Sequence, residues 1–386
     1  MSHVVTVTRG AHFGVDERGT RTIGNRIVSL QALRFFAAAV VVAYHSWCMV
    51  ISAQRGACPV VYAIGIGTAG VDVFFVLSGF VIALTGPLAQ PRPSGARFFW
   101  RRWSRVAPLF YLLSVPAILL AARSGGLSWP RTAATFLFWP AAGREIASPY
   151  LGVGWTLCFE MIFYSTVAAL LTGGRLRRNL WILAAVVAAL VAARSFSGWN
   201  PLRILANPVF LEFGAGAALA SVWPWLRRAP VALGAVLIVA ALAIFVAEAI
   251  VGVGDAIFVG PTMNDTNALW RVLVFGPPAV FLVAGAAICN RVLRGPLVAV
   301  LAWLGDASYS IYLSQEVAVL LATAVWLAAI GGGHTATGGI VVLAASIAFG
   351  AAVYVLVERP IMRAVRRIPV DRWARSSVVA APAAPD

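Results

Sequence analysis

An arginine and a histidine, Arg34 and His45, stand eleven residues apart in the first long apolar run of the chain. Ionisable side chains are costly inside a membrane, so each is a functional candidate by default. Eleven residues make close to three helical turns, so the two share one face, about 16 Å apart along the axis at 1.5 Å per residue. A neutral imidazole can take a proton from a hydroxyl and later return it, which suits a general base. Asp72 opens the second apolar run at a depth similar to His45. It can orient an imidazole as the third member of a triad or cap a helix N-terminus. Glu160, at the end of GWTLCFE, falls near mid-membrane. A carboxylate there must pair or be protonated; Arg34, His45 or an acceptor hydroxyl are its candidate partners. Arg102 and Arg105 lie three apart on one helical face beside aromatic residues at a membrane boundary, a placement suited to the phosphates of a cytosolic ligand. Trp155 can stack on a sugar ring, and Tyr309 and Tyr312, with Ser308, can line a polar pocket. Glu358-Arg359-Pro360 reads as a local ion pair and a helix stop.

These residues must be positioned by membrane helices. The chain is 61% hydrophobic and 11% charged, against about 25% charged in an ordinary soluble domain, so lipid must cover most of its surface. Ten apolar runs are expected to span: 28–50, 69–86, 106–122, 150–172, 179–194, 203–222, 229–251, 270–289, 308–331 and 338–357. Residues 132–140 read as a re-entrant or interfacial piece. The net charge is +16 and every cation is Arg. The arginines form short clusters between apolar runs, the pattern of membrane loops rather than of a nucleic-acid face. With the N-terminus in the cytoplasm, 22 arginines fall in inner segments and 7 in outer ones, with Arg34 alone inside a span, which supports ten helices and two cytoplasmic termini. The expected fold is therefore an all-α polytopic bundle of about ten transmembrane helices. It comprises a cytoplasmic tail (1–27), a membrane domain (28–363) and a cytoplasmic, disordered tail (364–386). The first run lacks a small-residue cleavage site and acts as an uncleaved anchor. No Cys/His spacing suits zinc, and a Cys48–Cys58 disulfide is conceivable. No internal repeat supports an inverted-repeat transporter.

Several segments together resemble the membrane acyltransferase-3 family, which O-acylates bacterial glycans and related acceptors. SLQALRFFAAAVVVAYH carries its Arg-to-His signature at Arg34 and His45, and GVDVFFVLSGFVI matches a second. RRWSRVAP supplies an R-x-x-R at Arg102 and Arg105, and GWTLCFEMIFY ends its tryptophan-to-glutamate signature at Glu160. NPVFLEFGAGAALA, LGDASYSIYLSQ and VLVERPIMR match later ones, in order from residue 28 to about 363. VGWTLCFEMIFY also looks like the exopolysaccharide acetyltransferase branch. Many relatives carry His after the SYSxYL run where this chain has Gln315, a side chain that cannot titrate.

The resemblance implies a multi-pass enzyme of the bacterial inner membrane with no tightly bound cofactor. It implies acyl-CoA, usually acetyl-CoA, as donor from the cytosol, and a polysaccharide or lipid-linked oligosaccharide acceptor on the periplasmic side. Arg102 and Arg105 would hold the coenzyme's phosphates and His45 would activate the acceptor hydroxyl. Arg34, Glu160, Tyr309 or Tyr312 would support the oxyanion. A glycan or lipid-linked-sugar flippase, and an inactive scaffold in a polysaccharide-synthesis complex, are the competing expectations; no nucleic-acid partner is expected.

Overall fold

A computed structural model describes residues 14–15, 21–22, 27–56, 66–89, 92–142, 146–172, 199–252, 268–331, 334–365 and 367. Apart from a two-residue antiparallel pairing of Gly14–Val15 with Arg21–Thr22, the described elements are helical. They run α1 (Val28–Arg55), α2 (Gly70–Thr85, entered by a 3-10 turn), α3 (Gly95–Arg123), α4 (Trp129–Phe136) and α5 (Trp155–Thr172, also entered by a 3-10 turn). There follow α6 (Asn200–Leu205), α7 (Phe210–Leu226), α8 (Val231–Val251), α9 (Ala268–Cys289), α10 (Pro296–Asp306), α11 (Ser308–Ile330), α12 (Thr335–Val353), a π turn (Tyr354–Glu358) and α13 (Arg359–Val365). Among the described residues nine helical stretches are long and apolar enough to cross a membrane. The chain is a multi-pass membrane protein. The expected span at 179–194 lies outside the described residues, as does Cys58. Cys48 is disulfide-bonded, and Cys158 and Cys289 are free.

Helix α1 is the hub of the bundle. It packs on α2 and α9 to one side and on α10, α11 and α12 to the other. Helices α2 and α7 approach closely through glycines on both partners. A Cβ on Gly79 would strike the Phe213 carbonyl, and one on Gly216 the Val76 carbonyl; small residues set such distances in membranes, where apolar attraction between helices is weak. Gly305 in the same way brings α10 onto the backbone of Gln31 in α1. Helices α3 and α5 form a third layer against α11, sealed by buried aromatics including Phe98, Phe110, Phe159 and Phe213.

Three expectations need correction. Helix α3 starts at Gly95 rather than near 106, because the Ser94 hydroxyl accepts the Arg97 N–H at 3.3 Å and caps it. Arg97 and Arg101 therefore lie on the same helix as Arg102 and Arg105. Within 132–140, read as a re-entrant or interfacial piece, the structure has the end of a short helix, Trp129–Phe136, with Pro130 in its first turn and Ala133, Ala134 and Thr135 buried. Arg271, counted as an outer loop cation, is buried within α9, so Arg34 is not alone inside a span. The helix does not stop at Glu358-Arg359-Pro360. Pro360 removes a helical N–H and crowds the carbonyl four residues back. The π turn Tyr354–Glu358 absorbs that defect, and α13 continues to Val365.

Candidate active site

The polar side chains gather into two groups. One is a seam along α1. The other is a buried knot joining α2, α7 and α9.

At the Arg34 end of the seam, α3, α5, α11 and the π turn converge on α1. Arg34 has Arg105, Glu160, Tyr164 and Glu358 as its charged and polar neighbours, and its buried Nε makes no hydrogen bond. Glu160 accepts from the Ser78 hydroxyl at 3.1 Å and from the Tyr164 hydroxyl, one helical turn further along α5. Arg102 donates to the Thr85 hydroxyl at 2.5 Å and lies over the rings of Phe98 and Tyr164. Tyr309 donates to the Val106 carbonyl at 2.6 Å, which ties α11 to α3. The Ser310 hydroxyl donates to Glu358 at 2.5 Å. Arg34, Arg102 and Arg105 thus face two carboxylates, Glu160 and Glu358. The excess of guanidinium favours an anionic ligand.

Glu358 was read from the sequence as a local ion pair with Arg359. The structure buries it, and Arg359 instead lies over the Tyr354 ring. The π turn rotates Glu358 inward, a register shift that regular helical spacing does not foretell.

At the other end, His45 Nδ1 lies 2.9 Å from the carbonyl oxygen of Val41, one turn back on α1. That oxygen can only accept, so Nδ1 carries the proton and Nε2 is left with the lone pair. The Tyr44 ring meets the imidazole edge-on at 5.0 Å. Gln315 comes beside it from α11. The Gln315 side chain is 1% exposed; its amide reaches toward the imidazole, though neither its oxygen nor its nitrogen makes a well-aligned hydrogen bond. Tyr312, one turn earlier, donates to the Val153 carbonyl at 3.1 Å and meets the Thr156 hydroxyl at 3.1 Å. Glu316 accepts the Val153 N–H at 2.6 Å, so α11 holds the turn that launches α5. Trp155 begins that helix with its ring edge-on to Phe75 and Phe159.

Asp72 does not belong to the seam. Arg271 grips it through Nε at 2.9 Å and Nη2 at 2.6 Å, and also donates to the Thr68 carbonyl at 3.1 Å. Glu212 of α7 brings a second carboxyl against Asp72. The expected Asp72–His45 contact is therefore replaced by a buried knot joining α2, α7 and α9. Arg271 was missed because its position, four residues into an apolar run, mimics a boundary cation. An aromatic groove of about 510 Å³, on the far face of α3 and α5 and lined in part by Phe99, Trp103, Trp139 and Met161, carries no ionisable side chain.

Residues 27–357 match the acyltransferase-domain family, acyltransferase-3. The chain belongs to that family. As an acyltransferase-3 enzyme it has relatives of named function. It is 34% identical over 313 residues to the exopolysaccharide production protein ExoZ of Rhizobium meliloti strain 1021, covering 77% of this chain and 90% of that one. It is 26% identical over 377 residues to the acyltransferase MdmB of Streptomyces mycarofaciens, covering 89% and 94%. It is 30% identical over 219 residues to nodulation protein 10 of Rhizobium leguminosarum bv. viciae, covering 50% and 59%. No solved structure matches the chain. The protein is an acyltransferase carried on a membrane bundle, and the seam along α1 is its candidate active site.

Proposed function

We propose that this acyltransferase moves an acyl group, most simply acetyl, from acyl-coenzyme A on the cytoplasmic side to a hydroxyl of an exopolysaccharide or other cell-surface glycan on the outer side of the bacterial inner membrane. One observation carries the reading: α1 joins a cationic cluster to an imidazole whose Nε2 keeps its lone pair, about 16 Å apart by helical rise, and an extended pantetheine arm covers a comparable distance. Arg102 and Arg105 receive the coenzyme's phosphates, and Arg34, backed by Glu160 and Glu358, meets the arm where it enters the bundle. The thioester reaches His45. There the acceptor hydroxyl loses its proton to Nε2 as its oxygen bonds to the acyl carbon. The exopolysaccharide name of the 34%-identical relative supports a glycan acceptor, and the half-buried Trp155 at the start of α5 offers a ring edge for a sugar.

The test is transfer of label from [14C]acetyl-CoA to polysaccharide in membranes that carry the protein. His45→Ala is expected to lower transfer by about 100- to 10,000-fold, the scale of a lost general base, with the protein still present in the membrane. Undiminished transfer by this variant would remove His45 from the mechanism.

A further inference from the structure

The tetrahedral intermediate of acyl transfer needs a hydrogen-bond donor aimed at its oxyanion. The sequence offered Arg34, Glu160, Tyr309 and Tyr312 for that work. The structure commits each of them elsewhere. Arg34 lies about three turns from His45, a distance of about 16 Å. Glu160 accepts two hydroxyl protons from Ser78 and Tyr164. The Tyr309 proton goes to Val106 and the Tyr312 proton to Val153.

At His45 itself, α1 supplies Val41 to Nδ1 and the Tyr44 ring edge. The side chain that comes from the facing helix is Gln315. It is almost wholly buried, its amide lies within hydrogen-bonding reach of the imidazole, and neither polar atom makes a well-aligned hydrogen bond. A buried amide held without a well-aligned partner costs about 1–3 kcal/mol; other buried polar atoms such as Thr323 Oγ1 and Ser346 Oγ share that state, and what sets Gln315 apart is its place against His45. Its neighbours on α11 explain its fixed position: Tyr312 and Glu316 both anchor the helix to the Val153 turn, which holds Gln315 against α1.

We infer that Gln315 is a catalytic residue of this acyltransferase, its carboxamide N–H donating to the acyl oxygen at the moment His45 takes the acceptor's proton. The inference rests on the reading of His45 given under Proposed function. The acceptor oxygen bonds to the thioester carbon while its proton passes to His45 Nε2. The carbonyl π pair moves onto oxygen, and the Gln315 N–H holds that charge. On collapse the C=O re-forms, the C–S bond breaks, and the coenzyme thiolate takes the proton back from His45. Nothing titrates at position 315 and nothing needs to. An amide donates at every pH, whereas a histidine there would donate or accept according to its tautomer.

The experiment uses the full chain in nanodiscs, with acetyl-CoA as donor and chemically de-O-acetylated surface polysaccharide from the host as acceptor. Gln315→Leu keeps the bulk and removes the donor; Gln315→His restores an N–H. The first is expected to lower kcat by about 100-fold, the scale of one lost oxyanion donor, with KM for acetyl-CoA unchanged. The second is expected to recover at least part of that loss. A second readout follows carbethoxylation of His45 by diethylpyrocarbonate, read by peptide mass spectrometry. Its rate in Gln315→Leu should stay close to that of the unaltered chain, because Gln315 acts on the substrate and not through the imidazole. Unimpaired transfer by Gln315→Leu, or a His45 labelling rate that collapses together with kcat, would overturn the inference and leave His45 as base untouched. Absence of transfer by the unaltered chain, from acetyl-CoA or succinyl-CoA, would overturn the donor reading and this inference with it.

Discussion

Two buried charge systems meet α2, and they are held differently. In the Asp72–Arg271 knot the guanidinium is gripped twice by one carboxylate and once by a carbonyl, and both partners are almost fully buried, while the Glu212 carboxyl lies against Asp72 without a well-formed hydrogen bond of its own. In the α1 seam Arg34 Nε makes no hydrogen bond, although Glu160 and Glu358 accept from the hydroxyls of Ser78, Tyr164 and Ser310. A satisfied buried ion pair adds little net stability, but breaking it leaves an uncompensated charge that is very costly. An unsatisfied buried group costs free energy in the resting state and can recover it when a ligand arrives. The bidentate ion pair of the knot reads as architecture that ties α2 to α9, and the convergence of three arginines and an imidazole along α1 reads as the site.

Three substitutions can break that comparison. The largest effect is expected at the knot. Arg271→Met strands Asp72 beside Glu212, and should lower stability by about 3–5 kcal/mol. Thermal unfolding in detergent, or the yield of folded protein, reads this out. Removing Asp72 together with Arg271, each replaced by Leu, should recover much of the loss. A stable but inactive Arg271→Met protein would instead bring the knot into the catalytic machinery.

Arg34→Met should do the opposite. Folding is expected to hold, because the Arg34 Nε has no bond to lose, while KM for acetyl-CoA rises about tenfold, equivalent to ~1.4 kcal/mol. Unfolding with no kinetic effect in the residual folded protein would make Arg34 structural. The smallest effect belongs to Glu358→Gln, which keeps the Ser310 contact but removes a charge beside Arg34 and Arg105. Transfer should fall roughly three- to tenfold, the scale of a weakened charge-assisted hydrogen bond, with no change in melting temperature. A marked loss of stability there would move Glu358 from the seam to the class of the knot.

Much of the fold was legible because lipid imposes it. Continuous apolar runs must be helices so that every backbone group is bonded internally, and eight of the ten expected spans coincide closely with helices or helical stretches in the described residues. The third began too early for hydropathy to detect, since the aromatic and arginine residues of its first turns are not apolar on average; only the Ser94 cap marks its start. The fifth expected span falls outside the described residues. Within the site, Arg34, Arg102, Arg105, Glu160 and Tyr309 were each legible as candidates, in separate roles, and the structure brings them to one end of α1.

The sequence by itself determined the residue types, the helical phase that sets Arg34 and His45 on one face, and the order of motifs that marks the acyltransferase-3 family. These are local properties, carried by 3.6-residue spacing and by the composition of single segments. Only the tertiary structure decided who partners whom. Asp72 went to Arg271, 199 residues away, and not to His45. Glu358 turned inward through a π turn, and Gln315 came to rest beside the imidazole from a helix far along the chain. Pairing across helices depends on rotation and depth about axes that glycine contacts and a proline-induced register shift set, and neither is encoded in the segment that carries the charge.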